Sequence, residues 1–197
     1  MRRSKRIDTA KLTLGALLTA LVVVLQLVGS FVHFGVFSVS LGLLPIVIGA
    51  ATCGPFIGAW LGLVFGAVVL LSGDATLFLE FNAPATIFLV LLKGTASGLL
   101  AGLVYRLLEK FHGYVAVVTA AAVCPLVNTG IFLGGCYLFY YDLVAEWAGG
   151  AQNVVSYMFI GLAGGNFLFE FILNLVLCPV IVRILTLRRT QSPIKNG

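Results

Sequence analysis

Residues 11–31 read KLTLGALLTALVVVLQLVGSF, an apolar run in which only the first residue, Lys11, is charged. An α-helix rises about 1.5 Å per residue, so roughly 20 such residues cross the ~30 Å hydrocarbon core of a bilayer. The run is too long for the apolar region of a signal peptide, which has roughly 7–15 residues, and no small-residue cleavage site follows it. We therefore interpret it as a membrane helix that the protein retains.

The composition of the whole chain points in the same direction. Of its 197 residues, 60% are hydrophobic and 10% are charged. A soluble domain carries roughly 25% charged residues, because water must solvate its surface. The low charged fraction excludes an ordinary soluble domain and implies that most of the outer surface faces lipid.

Five further apolar runs follow the first one. The second run is short and contains Pro45, so we expect it to be slanted or partly irregular, which is tolerated where other helices bury the backbone. The sequence predicts an all-α membrane protein, a single domain over residues 1–197 with six transmembrane helices, at approximately 11–31, 38–52, 55–72, 84–108, 114–139 and 157–187.

The distribution of charge predicts the orientation in the membrane. Eleven of the twelve basic residues lie in the N-terminal region, in the connection between the fourth and fifth runs, and in the C-terminal region: Arg2, Arg3, Lys5, Arg6, Lys11, Arg106, Lys110, Arg183, Arg188, Arg189 and Lys195. Three connections on the opposite side lack basic residues and carry Asp74, Glu80, Asp142 and Glu146. Because cytoplasmic loops are enriched in Lys and Arg, both termini are predicted to be cytoplasmic. The net charge of +5 is thus a topology signal, and no nucleic-acid partner is expected.

The twelfth basic residue, Lys93, lies near the middle of the fourth run. A cation at that depth costs about 2.5–3.5 kcal/mol on insertion scales, so it should face the interior of the bundle and have a partner. One interpretation is a structural ion pair with Glu170, the acidic residue deep in the sixth run. The other is that Lys93 binds an anionic group of a ligand, and the two interpretations are compatible.

Several amide and hydroxyl side chains accompany these two charges. Asn166, Glu170 and Asn174 recur every four residues and form one polar stripe on the sixth helix. Such polar groups either hydrogen-bond neighbouring helices or line a pocket. Asn174 lies deeper and is expected to be structural. The candidate substrate-binding residues are Lys93, Asn128, Thr129, Asn166 and Glu170.

The sequence carries no signature of an enzyme. It has no GxSxG nucleophile motif, no paired-histidine metal motif and no GxxxxGK[ST] phosphate-binding loop, so the chain cannot itself hydrolyse ATP to drive transport. The four cysteines are scattered and form no CxxC pair, which indicates neither a metal site nor a disulfide framework. We expect no catalytic residues, no bound metal and no cofactor.

Two further stretches are specific enough to indicate a family. The first helix contains the small-residue pair Ala16 and Ala20, one turn apart, and residues 37–50 read FSVSLGLLPIVIGA, followed by Gly54-Pro55 and the stretch Gly58–Gly66. With its length of about 200 residues and six predicted spans, the whole chain resembles the substrate-binding S component of energy-coupling factor (ECF) vitamin transporters.

The resemblance implies partners as well as an activity. An S component binds a small water-soluble vitamin near the outer face of a prokaryotic plasma membrane, beneath its first, third and fifth loops. It delivers the vitamin together with a shared transmembrane T subunit and two ATPases. The resemblance assigns Ala16 and Ala20 to the contact with the T subunit, and it implies an S-component-like bundle of helices.

Two vitamins are candidates, and the residues favour pantothenate over pyridoxine. Residues 93–102 and 125–130 are similar to S components for pantothenate or for pyridoxine and related pyrimidines. Pantothenate has a carboxylate that Lys93 could neutralise, whereas pyridoxine would prefer stacking on Phe132, Trp60 or Tyr137. A stand-alone secondary carrier or channel, with Glu170 coupling ions, is the alternative of a different class.

Overall fold

The computed structural model describes residues 9–31, 33–34 and 37–190. Its helices are α1 (Thr9–Gly29), α2 (Leu43–Cys53), α3 (Pro55–Leu71), α4 (Thr76–Leu108), α5 (Gly113–Phe139), α6 (Tyr141–Trp147), α7 (Val154–Ser156) and α8 (Gly165–Thr190). A 3₁₀ turn at Ala151–Asn153 precedes α7, and a π-helical segment, Tyr157–Gly164, joins α7 to α8. Arg2, Arg3, Lys5, Arg6 and Lys195, which the topology prediction uses, lie outside the described residues.

A small hairpin connects α1 to α2. Its strands, β1 (His33–Phe34) and β2 (Phe37–Ser38), pair antiparallel, with His33 opposite Ser38 and Phe34 opposite Phe37. Each strand has two residues, so within the described residues the architecture is almost entirely helical.

Within the part of the chain that the structure describes, four stretches are long and apolar enough to cross a bilayer: α1, α4, α5 and the continuous helical stretch Val154–Ile184. The helices α2 and α3 are apolar but shorter, with 11 and 17 residues. Residues 39–42, ahead of α2, are not helical, and Pro45 lies in the first turn of α2, so the predicted second run is a short helix with an irregular entry. Large apolar side chains cover the outside of the bundle; Phe56 is 82% exposed and Ile160 is 77% exposed. Such a surface is stable only against lipid or another apolar partner.

Glycines bring α3 and α4 into direct backbone contact. A Cβ atom at Gly62 would collide with the carbonyl oxygen of Gly94, and a Cβ atom at Gly98 would collide with that of Gly58. Helices in a bilayer associate through such close packing, because lipid gives them no hydrophobic drive to associate. The contact holds α4 in a fixed register on α3, and Lys93 directly precedes Gly94 in this seam.

The helix α4 is broken at Asn82, whose backbone angles (φ −154°, ψ 87°) are not helical. The side-chain oxygen of Asn82 accepts a hydrogen bond from the backbone N–H of Ala85 at 3.3 Å, as the residue that caps a helix N-terminus does. Pro84 follows in the first turn of the second half, a position that needs no backbone donor. The predicted run 84–108 is this second half, and the preceding connection folds as a further piece of helix.

The two ends of the bundle differ in charge. At one end the thiol of Cys53 approaches the carbonyl oxygen of Lys11 at 3.8 Å, and Arg106 lies beside Gly54. Gly54 has φ +104°, which favours glycine in the tight turn between α2 and α3. Lys11 and Arg106 therefore share one end of the molecule. A cavity lies at the other end. It is lined there by Ser38 and Ser40 at the hairpin, and by Asp74 and Tyr140 from other connections.

Candidate substrate-binding site

The cavity has a volume of about 750 Å³, a figure that includes the space at its open mouth. Its walls come from α3, α4, α5, the π-helical segment and α8, with further residues from the connections between helices. The lining residues are Ser38, Ser40, Val69, Asp74, Ala75, Phe78, Thr86, Leu89, Val90, Lys93, Asn128, Thr129, Phe132, Tyr140, Leu162, Ala163, Asn166, Phe167 and Glu170.

The structure brings all five residues of the sequence-based candidate set to this one cavity. Lys93 comes from α4, Asn128 and Thr129 come from α5, and Asn166 and Glu170 come from α8. Residues on three separate helices thus line the same cavity. Polar residues selected from apolar runs could equally have been scattered over the bundle.

Lys93 is partly buried in the cavity wall. Its Nζ atom lies 5.0 Å from the centroid of the Phe132 ring, a distance at which the face of an aromatic ring attracts a cation. No hydrogen bond or ion pair of Lys93 is formed with any residue that the structure describes. The structural ion pair with Glu170 is therefore not formed, although the carboxylates of Glu170 and Asp74 are near enough to act on the cation electrostatically.

The carboxylate of Glu170 is buried, with 4% of the residue exposed. Its Oε1 atom accepts a hydrogen bond from the backbone N–H of Ser40 at 2.8 Å. This contact ties α8 to the segment between the hairpin and α2. Glu170 therefore fixes one edge of the cavity while also lining it.

Two amide side chains in the cavity wall lack a protein partner for their oxygen. Asn128 is 4% exposed and Asn166 is 8% exposed, and the Oδ1 atom of each is buried without a hydrogen bond to any described residue. An unpaired buried polar atom costs about 1–3 kcal/mol, so a partner is expected for each of these two oxygens. The oxygens of Gln26 and Asn174, outside the cavity, are also buried without a partner among the described residues. Rotation of either amide group exchanges its oxygen for its nitrogen, so each can present an acceptor or a donor to the cavity.

Asn174, which the sequence pattern assigns a structural role, does not line the cavity. It is buried one turn further along α8, and its Nδ2 donates to the carbonyl oxygen of Glu170 at 2.8 Å. The polar stripe on the last helix thus divides into two cavity residues and one residue that bonds within its own helix.

A hydroxyl network at the cavity wall was not predicted from the sequence. Thr86 Oγ1 lies 2.6 Å from the Tyr140 hydroxyl oxygen and donates to the carbonyl oxygen of Asn82 at 2.8 Å. The Tyr140 hydroxyl also reaches that carbonyl, at 3.3 Å. Burial raises the pKa of the Tyr140 hydroxyl, so it stays protonated and can donate. The network links the break in α4 to the end of α5. In the sequence, Pro84 is the residue that indicates this break.

An aromatic cluster continues this wall. The ring of Phe78 packs edge-to-face on the rings of Phe132, Tyr140 and Trp147, with centroid distances of 5.7, 4.9 and 5.7 Å. Edge-to-face pairs at such distances are favourable. The cluster joins the first half of α4, which holds Phe78, to α5 and to α6, which hold Phe132 and Trp147.

The three aromatic side chains considered for stacking are not equivalent. Phe132 lines the cavity, whereas Trp60 and Tyr137 do not and are 52% and 54% exposed. The indole nitrogen of Trp60 donates to Thr19 Oγ1 at 3.3 Å, so this ring lies beside α1. The cavity therefore offers one of the three rings to a ligand.

Ala16 and Ala20 both lie on the exposed side of α1. The opposite side of the helix packs inward, where a Cβ atom at Gly15 would lie 3.6 Å from Ile57 and where Leu18 is 3% exposed. The small-residue pair therefore leaves a shallow groove that another helix can approach.

No cluster of three or more His, Cys, Asp or Glu side chains that could hold a metal ion occurs among the described residues. Cys53, Cys124 and Cys136 are free thiols, the latter two buried. The cavity therefore offers hydrogen bonds, one cation and aromatic surface as its means of recognition.

Among the described residues, the helices thus combine an apolar outer surface with a cavity at one end that is lined by charged, amide, hydroxyl and apolar side chains. The chain belongs to the family described as "ECF transporter, substrate-specific component", whose model matches residues 10–182. It is 29% identical over 209 residues to the "Pantothenic acid transporter PanT" of Lactococcus lactis subsp. cremoris (strain MG1363), with 98% of this chain and 100% of the relative covered. No solved structure gave a significant match.

Proposed function

We propose that this chain captures pantothenate in the cavity and delivers it as the S component of an ECF importer. The observation that carries the proposal is Lys93, a cation in the cavity wall without an anionic partner among the described residues, in the same cavity as the unpaired amide oxygens of Asn128 and Asn166. The name of the Lactococcus relative supports the same substrate.

The chemistry of pantothenate matches this set of groups. Its carboxylate can bind the Lys93 ammonium, and a charge-assisted hydrogen bond of this kind is about twice as strong as a neutral one. Its amide N–H and two hydroxyls supply donors for the Asn128 and Asn166 oxygens, and Thr129 adds a hydroxyl that donates or accepts. Satisfying buried polar atoms on binding removes a penalty that the ligand-free protein carries.

Pyridoxine is the competing vitamin. It has no carboxylate for Lys93, and of the rings proposed for stacking only Phe132 lines the cavity, where its face already carries the ammonium of Lys93. Detergent-purified protein titrated with each vitamin separates the two. We expect saturable pantothenate binding at a ratio of about 1:1 and at least tenfold weaker binding of pyridoxine. Tighter binding of pyridoxine than of pantothenate would make pyridoxine the substrate instead.

The partners follow from the family and from the position of the small residues. The exposed pair Ala16 and Ala20 serves as the contact for the T subunit, and two ATPases supply the energy. We place six spans in the plasma membrane of a prokaryote, with α2 and α3 as the second and third spans. Both termini face the cytoplasm at the end that holds Lys11 and Arg106, so the cavity opens on the outer side.

A stand-alone carrier makes a different prediction. Buried acidic residues often couple ions in carriers, and Glu170 is such a residue. Liposomes that contain only this chain should take up no pantothenate along a proton or sodium gradient. Liposomes that also contain the T subunit and both ATPases should take it up when ATP is supplied. Gradient-driven uptake by the chain alone would support the carrier and exclude the proposal.

A further inference from the structure

An anionic ligand would add to an existing excess of acidic groups in the cavity. Lys93 is the basic side chain in the lining, and Asp74 and Glu170 are the acidic ones. Asp74 lies on the connection between α3 and α4, is partly exposed, and accepts a hydrogen bond from the Ser72 hydroxyl at 2.7 Å. Water can therefore solvate Asp74, whereas Glu170 is buried and depends on the protein for compensation.

The surroundings of Glu170 contain one compensating charge. Lys93 on α4 acts on it across the cavity, and Cys124 is the titratable group that faces it from α5. The segment ahead of α2 contributes the Ser40 N–H. Helix α2 contributes no charged side chain, since its sequence is LLPIVIGAATC and Cys53 lies at the opposite end of the bundle. On α8 itself, the charged residue nearest to Glu170 is Arg183, more than three turns away.

A ligand carboxylate bound to Lys93 would pair with the positive charge that otherwise compensates the carboxylate of Glu170. Two carboxylates, of which one is the buried Glu170, would then share a single cation in a medium of low dielectric constant. A buried charge without its own partner is unfavourable, and carboxyl groups in this situation become neutral rather than remain ionised. The hydrogen bond from Ser40 permits this change, because a protonated carboxyl group still accepts at one oxygen while the other carries the proton.

We infer that Glu170 takes up one proton from solution when a carboxylate ligand binds at Lys93, so that the ligand and a proton bind together. The inference rests on the proposed function, since it needs an anionic ligand at Lys93. The proton comes from bulk water and bonds to the Glu170 oxygen that does not accept from Ser40. No other bond forms or breaks. Binding, and not a transmembrane gradient, provides the driving force, so this differs from ion-coupled carriage.

Linkage fixes the sign of the pH dependence. If binding takes up a proton, the dissociation constant of the ligand rises with pH, by about tenfold per pH unit where the free carboxyl is ionised and the bound one is protonated. The ligand carboxylate is itself fully ionised above about pH 6, so its own titration does not contribute between pH 6 and 8.

The decisive measurement needs no substitution. Isothermal titration of the purified chain with pantothenate, in buffers of equal pH and ionic strength but different ionisation enthalpies, gives the number of protons exchanged from the slope of the observed enthalpy. We expect about one proton taken up per pantothenate bound at pH 7. A slope of zero with intact binding would overturn the inference and leave the proposed function standing, whereas absence of pantothenate binding would remove the proposed function itself.

Variants then identify the group. Glu170→Gln imitates the protonated carboxyl and keeps an oxygen for the Ser40 N–H, so it should bind pantothenate with a dissociation constant that does not change between pH 6 and 8. Glu80→Gln, at an exposed position, is the matched control and should retain the tenfold change per pH unit. If Asp74→Asn and not Glu170→Gln abolished proton uptake, the assignment to Glu170 would be wrong.

Discussion

The backbone nitrogen of Ser40 lies 2.8 Å from Oε1 of Glu170, although the two residues are 130 positions apart in the chain. The contact connects the segment after the hairpin to the last helix and closes one side of the cavity. A carboxylate that accepts a backbone N–H gives a stronger bond than a neutral acceptor does. This relationship makes Glu170 part of the structure as well as part of the binding site, and it explains how a charged residue is retained inside an apolar helix.

The hydroxyl network at the break in α4 should contribute to the stability of the fold. Tyr140→Phe removes one hydroxyl and leaves Thr86 bonded to Asn82, so we expect a loss of about 1 kcal/mol in unfolding free energy. Thr86→Val should cost a similar amount, and the double variant should cost less than the sum, because the two hydroxyls contact each other. Thermal unfolding in detergent measures all three variants. Strict additivity would show that the two hydroxyls act independently.

The unpaired amide of Asn166 should contribute to affinity. We expect Asn166→Ala to weaken pantothenate binding by about tenfold, or about 1.4 kcal/mol, because the ligand loses a hydrogen-bond partner. Asn153→Ala, at an exposed position outside the cavity, is the control and should bind normally. Calorimetric titration provides the comparison. Equal affinities for the two variants would assign Asn166 to helix packing.

The seam between α3 and α4 should be intolerant of a single added methyl group. Gly62→Ala places a Cβ atom against the Gly94 carbonyl, and overpacking of this kind costs about 1–3 kcal/mol. Gly134→Ala is the matched control, since no heavy atom lies within 4 Å of its added Cβ. The melting temperature in detergent should fall for the first variant and stay the same or rise for the second, because alanine favours a helix more than glycine does. Equal melting temperatures would contradict the packing that positions Lys93.

The exposed small residues of α1 should matter for transport and not for binding. Ala16→Trp together with Ala20→Trp fills the groove, so ATP-dependent uptake by the reconstituted complex should be lost while the isolated chain still binds the vitamin. Val176→Trp, at a 64% exposed position on α8, is the control for adding bulk to the lipid-facing surface. Unchanged uptake by the double variant would remove this face from the contact with the T subunit.

Five of the polar residues that line the cavity could be selected from the sequence for a simple reason. Charged and amide side chains are costly in a bilayer, so those found deep in apolar runs are few, and the five selected residues all line the cavity. The positions of the helices could also be predicted from the sequence, because the apolar runs are long and polar connections separate them. The helix bounds of α3 and α5 differ from the predicted runs 55–72 and 114–139 by one residue.

Other features arise from tertiary contacts that leave no periodic signal. The Ser40–Glu170 bond uses a backbone N–H, which every residue except proline possesses, so the identity of Ser40 gave no indication of it. Tyr140 stands in a sequence rich in aromatic residues, FYYD, so nothing in the sequence distinguishes the hydroxyl that contacts Thr86. The π-helical segment at 157–164 has an ordinary apolar sequence, and its backbone hydrogen bonding cannot be inferred from composition.

The central claim is that Lys93 recognises the carboxylate of the vitamin. Pantothenol, which has a hydroxyl where pantothenate has the carboxylate, tests this contact from the ligand side, and Lys93→Met tests it from the protein side while keeping the apolar stem. The decisive measurement is the ratio of the two dissociation constants in each protein. We predict that the original chain binds pantothenate at least tenfold more tightly than pantothenol, a difference of about 1.4 kcal/mol, and that Lys93→Met removes the preference. An equal preference for pantothenate in both proteins would contradict the claim.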